Sequence, residues 1–296
     1  MLPLSSIFDK YGIQYHCYAD DTQIYLPVAP QTTCTLNKLY SCLNDIKSWM
    51  ACNFLQLNDS KTEVIIFGPP SSVTSLSSAL GPLSNNVHPV VRNLGIMLDS
   101  SLNFNKQISS VVRSGFYQLR VISNLKSLLS RSDLEILIHA FITSRLDYCN
   151  ILYTGLTQSN IHKLQMVQNA AARMLTGTKK REHITPVLAQ LHWLPVKFRI
   201  DFKILLFVFK ALNGLAPPYI AEMLSPRSTS RSTRSSTKQL LSVPSTRLKT
   251  KGDRAFSVAG PNLWNPLPPH IKSSTTLASF KSNLKTYLFT LAFNNP

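Results

Sequence analysis

Residues 13–26 have the sequence Ile13-Gln-Tyr-His-Cys-Tyr-Ala-Asp-Asp-Thr-Gln-Ile-Tyr-Leu26. Two runs rich in β-branched and aromatic residues flank Ala19-Asp20-Asp21, a pattern typical of two strands joined by a tight turn. A turn can present carboxylates outward, and carboxylate oxygens are ligands that divalent metals prefer. The segment therefore predicts a β-hairpin that displays two adjacent acids. Taken alone, the same pattern also fits an ordinary polar Asp-Asp turn.

A helix and two further strands are predicted after the hairpin. Apolar residues recur at steps of three and four over 36–50, which indicates a helix. Residues 62–67 and 90–98 have the composition of strands, and we expect them to pair because neither can bury its face alone. Residues 69–89 are rich in Ser, Pro, Gly and Asn, which predicts a loop.

From about residue 104 the apolar residues follow a helical period. The pattern predicts helices within 108–129, 134–141, 161–175, 196–212 and 277–288. Gly177 and Gly214 are typical of residues that end a helix. Most of the apolar residues in these helices are expected to form core and nothing more.

The chain as a whole is predicted to be α+β. We expect a small α/β part over 1–98, a mainly α-helical region over 104–224, a flexible linker over 225–254 and a C-terminal helical segment over 255–296.

The charge balance favours a polyanionic partner. Among 296 residues there are 31 Lys and Arg against 14 Asp and Glu, a formal net charge of +17. Such an excess is typical of proteins that bind nucleic acid or anionic lipid. The apolar fraction of 44% is high enough to form a core and excludes wholesale disorder.

The predicted linker concentrates this charge. Its basic residues, set among Ser and Thr with Asp253 as their one acidic neighbour, are Arg227, Arg231, Arg234, Lys238, Arg247, Lys249, Lys251 and Arg254. We expect them to contact nucleic-acid phosphates with little sequence preference. A solvated linker without a partner is the alternative.

Several functional classes are disfavoured. The five cysteines form no CxxC pair and no Cys/His quartet, which argues against a zinc knuckle or a disulfide scaffold. Their odd number and the lack of a signal peptide predict an intracellular protein of the cytoplasm or nucleus, not a secreted one. The most apolar run, 202–209, is too short to cross a bilayer, so no membrane partner is expected. Neither G-x-S-x-G nor a phosphate-binding glycine loop is present.

Three motifs in order resemble the palm of reverse transcriptases. Tyr18-Ala19-Asp20-Asp21 resembles their YxDD catalytic turn. A second group of residues resembles the next palm motif of these enzymes. It consists of Trp49, 53–58, and Lys61-Thr62-Glu63 with Phe67-Gly68. Asn93-Leu94-Gly95-Ile96-Met97-Leu98-Asp99 resembles the primer-grip motif. The helical remainder, with Leu194-Pro195-Val196 and 252–256, is similar to non-LTR (LINE-type) retrotransposon polyproteins.

This resemblance implies an RNA-directed DNA polymerase with an RNA template and a DNA primer as partners. Asp20 and Asp21 would then be catalytic and hold Mg²⁺, with Mn²⁺ as the alternative ion, and Tyr18 and Ala19 would support the motif. Lys61 would lie close to the incoming triphosphate. Leu94, Gly95 and Ile96 would form the primer-grip-like contact.

The chain also departs from the family pattern. Such polymerases need a third carboxylate on an earlier palm strand and fingers that bind the nucleotide, whereas Asp9 is the single acid before Asp20. We therefore expect the C-terminal part of such an enzyme, truncated inside the palm, inactive alone and weak in Mg²⁺ binding. The alternatives are a non-catalytic nucleic-acid-binding module and a mobile-element relic without function. The sequence indicates no oligomeric state.

Overall fold

The computed structural model describes residues 2–28, 33–227 and 239–293. The chain divides into two compact units, Met1–Asn93 with Leu98–Ser101, and Leu94–Met97 with Leu102–Pro296. The first unit mixes helices with short strands and the second is mainly helical. The predicted α+β class is therefore confirmed.

The first unit begins with a helix, a hairpin and a second helix. These are α1 (Leu2–Tyr11), β1 (Gln14–Tyr18), β2 (Asp21–Tyr25) and α2 (Thr33–Cys52). The two strands pair antiparallel from Gln14↔Tyr25 to Tyr18↔Asp21. The predicted hairpin and the predicted helix over 36–50 are thus both present.

An apolar core fixes the hairpin to the two helices. Its buried members are Leu4, Phe8, Ile13, Cys42 and Ile46. The rings of Phe8 and Tyr15 stack with their centroids 4.3 Å apart, which attaches β1 directly to α1. Both helices and the hairpin contribute side chains to this one core, so the hairpin is anchored to the helices.

An ion pair joins α1 to α2 at the edge of this core. Lys10 Nζ lies 2.7 Å from Asp45 Oδ2, and Tyr11 donates its hydroxyl to the same oxygen at 2.8 Å. The hydrogen bond from Lys10 lowers the pKa of Asp45 most, and the hydrogen bond from Tyr11 lowers it further.

The prediction of a loop over 69–89 is wrong. The structure has helix α3 (Pro70–Ala79) and a 3₁₀ turn, Gly81–Asn86, in this segment. Proline suits the first turn of a helix because its missing N–H would have no partner there. Val73 and Leu76 pack against a small core of Leu36, Ile66 and Leu80. Tertiary packing thus overrides the loop-like composition.

The predicted pairing of 62–67 with 90–98 is also wrong. Val64 makes only an isolated parallel bridge, to Val87. Residues 90–98 divide into β3 (Val90–Asn93) and β4 (Ile96–Asp99), which pair with each other. Leu94 and Gly95 between them have φ of 45° and 81°. Two consecutive positive φ values are typical of a tight hairpin turn, so the chain reverses where one continuous strand was expected.

The second unit consists mainly of α-helices. They are α4 (Asn105–Leu125), α5 (Arg131–Ile138), α6 (Ser144–Asp147), α7 (Gln158–Thr176), α8 (Thr185–Gln190), α9 (Val196–Leu212), α10 (Pro218–Ala221), α11 (Lys249–Gly252), α12 (Phe256–Trp264), α13 (Pro269–Lys272) and α14 (Leu277–Phe293). Gly177 caps α7 with φ of 74°, as predicted. Across the described residues, no helix has both the length and the apolar character needed to span a bilayer.

Two glycines allow helices of this unit to approach closely. A Cβ on Gly115 in α4 would lie 2.7 Å from Val167 Cγ1 in α7. One on Gly260 in α12 would lie 3.0 Å from Val208 Cγ2 in α9. Both contacts are tighter than ordinary van der Waals packing, so a larger residue at either position would have to push the helices apart.

Residues 239–254, which fall in the predicted flexible linker, are anchored at Leu241 and at Arg254. Leu241 is buried and forms an antiparallel bridge with Pro226. The side-chain amide of Asn265 donates to Leu241 O at 2.9 Å and accepts from Leu241 N at 2.8 Å. This pairing imitates a strand contact. The Ser/Thr-rich composition does not indicate these contacts, because each contact is made with a residue distant in the sequence.

Candidate functional site

The acid pair lies at the tip of the β1–β2 hairpin. Ala19 and Asp20 form the two-residue connection, and Asp21 is paired with Tyr18. Ala19 has φ of 53°, a left-handed conformation that costs a non-glycine residue about 1 kcal/mol. Two-residue hairpin turns require positive φ at their first position, and glycine usually supplies it. A strained residue beside two acids is the kind of feature found at functional sites.

Both acids face solvent. Asp20 and Asp21 are exposed, and the Tyr18 side chain is 68% exposed. The pair can therefore present hard oxygen ligands to a cation or to a hydrated partner. In the described ranges, however, no three or more His, Cys, Asp or Glu residues come together as a group that could hold a metal.

A side-chain hydrogen bond connects this hairpin to the β3–β4 hairpin. Gln23 on β2 donates through Nε2 to Asn93 Oδ1 at 2.7 Å. Tyr25 donates its hydroxyl to the other amide atom of Gln23, Oε1, at 2.5 Å. With both ends engaged, the amide of Gln23 is fixed in orientation. The acid-bearing strand is thereby held against the end of β3.

The primer-grip-like residues lie at the β3–β4 turn. Leu94 and Gly95 form the turn, and Ile96 begins β4 with its side chain buried. Tyr148 donates its hydroxyl to Leu94 O at 2.6 Å, and its ring lies 3.8 Å from where a Gly95 Cβ would be. This turn is therefore fixed by hydrogen bonding and by ring contact. No local sequence signal indicates the role of Tyr148, because it lies 54 residues from Leu94.

Lys61 lies at the end of a separate turn. It is the last residue of the 3₁₀ helix Asp59–Lys61, whose start is capped by the Asn58 side chain. The backbone N–H of Lys61 donates to Asn58 Oδ1 at 3.2 Å, and its side chain is exposed. Within the described part of the chain, no ion pair joins Lys61 to Asp20 or Asp21.

The basic residues predicted to bind nucleic acid differ in their surroundings. Arg227, Arg247 and Lys249 are exposed, and Lys251 is half-buried. Arg231, Arg234 and Lys238 lie outside the described residues.

Arg254, also predicted to bind phosphate, is bonded to the protein backbone. It donates through Nη1 to Leu102 O at 2.7 Å and through Nε to Thr154 O at 2.8 Å. Its guanidinium also lies over the Phe104 ring, 5.7 Å from the centroid. Because its donors serve backbone carbonyls, this side chain acts as a structural clamp, and a phosphate contact by Arg254 stays a prediction.

Basic residues on the helical unit were missed from the sequence. Lys106, Arg113 and Arg120 recur every seven residues on α4, and all three are exposed. Tyr117, which is 60% exposed, lies between the two arginines. α4 contains no Asp or Glu. The seven-residue spacing of these cations on a helix without acids is a signal in the sequence, whereas the expectations for this helix rest on its apolar residues alone.

Comparison with known proteins gives no relative. No protein-family model matches the chain, and neither do any curated protein or any solved structure. A function for this chain is therefore inferred from the acid pair, the two hairpins and the charge described above.

Proposed function

We propose that this chain carries the catalytic palm turn of an RNA-directed DNA polymerase of the non-LTR retrotransposon type. The single observation that carries the proposal is the position of Asp20 and Asp21 at the exposed tip of a hairpin packed on two helices. Carboxylates in such a position can reach a metal-bound nucleotide, because the support is rigid and the tip is open. RNA template and DNA primer are the proposed partners.

The contact between the two hairpins supports the proposal further. In the resemblance, one hairpin corresponds to the catalytic turn and the other to the primer grip. A primer end and a catalytic metal have to meet at one place, so the two elements that hold them must be in register. The bond from Gln23 to Asn93 fixes β2, within the first unit, to the strand that precedes the primer-grip-like residues.

The metal set fits only in part. Two-metal phosphoryl transfer needs carboxylates around two ions about 4 Å apart. The described residues provide Asp20 and Asp21 and no third ligand grouped with them. We propose that the pair binds Mg²⁺ or Mn²⁺ weakly and that this chain alone does not extend a primer.

Paramagnetic Mn²⁺ tests the metal contact directly. In the full chain, Mn²⁺ should broaden the amide resonances of 18–22 before any others. The double variant Asp20→Asn with Asp21→Asn should abolish this selective broadening. Asp133→Asn, which removes an exposed acid from α5, is the matched control and should leave it intact. Equal broadening in all three proteins would contradict the metal contact.

A hairpin exchange tests the polymerase assignment. Residues 13–26 would replace the corresponding hairpin of an active LINE-type polymerase, and primer extension on an RNA template would be measured. The exchange should retain extension, and the same exchange with Asp20→Asn and Asp21→Asn should lose it. The host enzyme's own hairpin, reinserted at the same junctions, is the control. An inactive exchange beside an active control would refute the assignment.

A second candidate is a non-catalytic nucleic-acid-binding module. The observation that favours it is α4, which carries exposed basic residues at a seven-residue spacing and contains no Asp or Glu. Phosphate contacts of this kind give affinity without sequence preference. The hairpin exchange separates the candidates, because a binding module predicts no extension with either version of the hairpin.

A further inference from the structure

A guanidinium braces the loop that follows α7. After Gly177, residues 179–182 form a turn in which Glu182 N donates to Lys179 O at 3.2 Å. Arg173, on the last turns of α7, donates through Nη1 to Lys179 O and through Nη2 to Glu182 O at 2.8 Å. One side chain thus holds both ends of the turn. We name residues 179–182 the braced turn.

The braced turn presents three consecutive cations. Lys179, Lys180 and Arg181 are all exposed, and Glu182 is the one acid of the turn. Lys180 and Arg181 occupy its two central positions, so the turn carries their side chains at its tip. Because the backbone of the turn is already held, ligand binding does not lose the conformational entropy of ordering this loop.

α4 packs along α7, the helix that leads into the braced turn. Asn160 at the start of α7 donates to Asn105 Oδ1 at the start of α4 at 2.8 Å, and Gly115 meets Val167 midway. The two helices therefore run parallel. From that midpoint each continues for about 15 Å to its C-terminal end, so the ends are level. The exposed Arg120 adds a further cation at this end of the pair.

We propose that the braced turn is a nucleic-acid backbone site, with Lys179, Lys180 and Arg181 contacting phosphates. The choice of nucleic acid over an anionic membrane rests on the proposed function, which requires a nucleic-acid partner. The site itself lies in the helical unit and does not use the acid pair. Cations fixed on a preformed turn bind a regular row of phosphates through charge, so binding is salt-dependent and unselective for sequence.

The experiment measures the affinity of the full chain for a labelled 20-bp DNA duplex by anisotropy, from 50 to 300 mM salt. The turn variant carries Lys179→Gln, Lys180→Gln and Arg181→Gln. Its matched control removes three exposed lysines elsewhere, Lys197→Gln, Lys281→Gln and Lys285→Gln. We expect the turn variant to bind about tenfold more weakly at 100 mM salt, with a log–log salt slope shallower by about 2. The control should change affinity by less than about twofold.

A second variant tests the brace. Arg173→Lys keeps the charge but cannot bridge two carbonyls with a planar fork. It should weaken duplex binding by about threefold and leave the salt slope unchanged, because no phosphate contact is lost. Circular dichroism would confirm that each variant keeps its helical content.

Two results would overturn the site. In the first, the turn variant and its control lose affinity equally, which would show that only overall charge matters. In the second, the turn variant keeps duplex affinity but loses binding to phosphatidylserine vesicles, which would make the partner a membrane. Failure of the proposed function is distinguishable, because an inactive hairpin exchange leaves the duplex measurement untouched. Likewise, Asp20→Asn with Asp21→Asn should not alter duplex affinity.

Discussion

Gln23 and Asn93 lie 70 residues apart in the sequence and share a hydrogen bond of 2.7 Å. The bond joins the strand that follows the acid pair to the strand that leads into the Leu94-Gly95 turn. Neither residue carries charge, so the link does not depend on pH or salt. The bond therefore fixes the position of β2 relative to β3.

This link should appear as a coupling energy. We expect the Gln23→Ala and Asn93→Ala changes together to cost about 1 kcal/mol less than the sum of the two single changes. The reason is that either single change already breaks the bond. Native-state hydrogen exchange of the β1–β2 amides would measure it. Additive effects within about 0.3 kcal/mol would show that the bond contributes nothing to the register.

Gly115→Ala should destabilise the helical unit. The new Cβ would meet Val167 Cγ1 at 2.7 Å, and the branched Val167 side chain is stiff. Overpacking costs about 1–3 kcal/mol, of which about 1 kcal/mol is offset by the better helix propensity of alanine. Urea unfolding followed by circular dichroism would report the loss.

The added change Val167→Ala gives the decisive comparison for Gly115. It should make the double variant more stable than the sum of the two single effects, because it removes the clash. Ser109→Ala on the exposed side of α4 is the control and should be neutral or slightly stabilising. A strictly additive double variant would mean that the two helices do not meet at this point.

Asp201 makes the stability of α9 depend on pH. Burial raises the pKa of this carboxyl from 3.8 to about 6, against the opposing effect of Lys197. Between those pH values the folded chain binds a proton that the unfolded chain has released. Stability therefore falls as pH rises from about 4 to about 6, by at most about 3 kcal/mol.

The change Asp201→Asn should remove that fall. The variant should match the wild type near pH 4 and exceed it at pH 7, as judged by hydrogen exchange of α9 amides at each pH. Glu222→Gln, at an exposed acid, should follow the wild type. A variant that is no more stable than the wild type at pH 7 would contradict the burial of a charged Asp201.

Arg254 is expected to act as a structural residue. Arg254→Lys keeps the charge but loses the fork that serves Leu102 O and Thr154 O. Leaving such carbonyls without a charged donor costs about 2–3 kcal/mol. Hydrogen exchange around 102–104 and 152–156 should rise. Arg247→Lys, at an exposed arginine, should have no effect, and equal behaviour of the two variants would contradict the clamp.

The local features of this fold could be predicted from the sequence. Residues 13–26 carry their own strand and turn signals, and α4, α7 and α9 carry a clear helical period. The adjacency of Asp20 and Asp21 at a turn needs no tertiary information either. In each case the pattern and the structure depend on residues close together in the chain.

The remaining features depend on distant partners. α3 forms because Val73 and Leu76 meet the small core of Leu36, Ile66 and Leu80, which a Ser/Pro-rich composition does not indicate. The β3–β4 reversal depends on positive φ at Leu94. Residues other than glycine rarely adopt this conformation, so the sequence does not indicate it. The brace from Arg173 and the clamp from Arg254 join side chains to backbone carbonyls, for which sequence has no local signature.

The clamp by Arg254 also affects the order in which the chain can fold. Leu102 precedes Arg254 by 152 residues, so the hydrogen bond to the Leu102 carbonyl cannot form until Arg254 has been synthesised. Contacts of such long range slow folding, because a large loop must close before they form. The helices α4 to α10, which precede Arg254, would thus leave the ribosome before this contact can form. During that interval we expect the nascent chain to expose apolar surface that chaperones can bind.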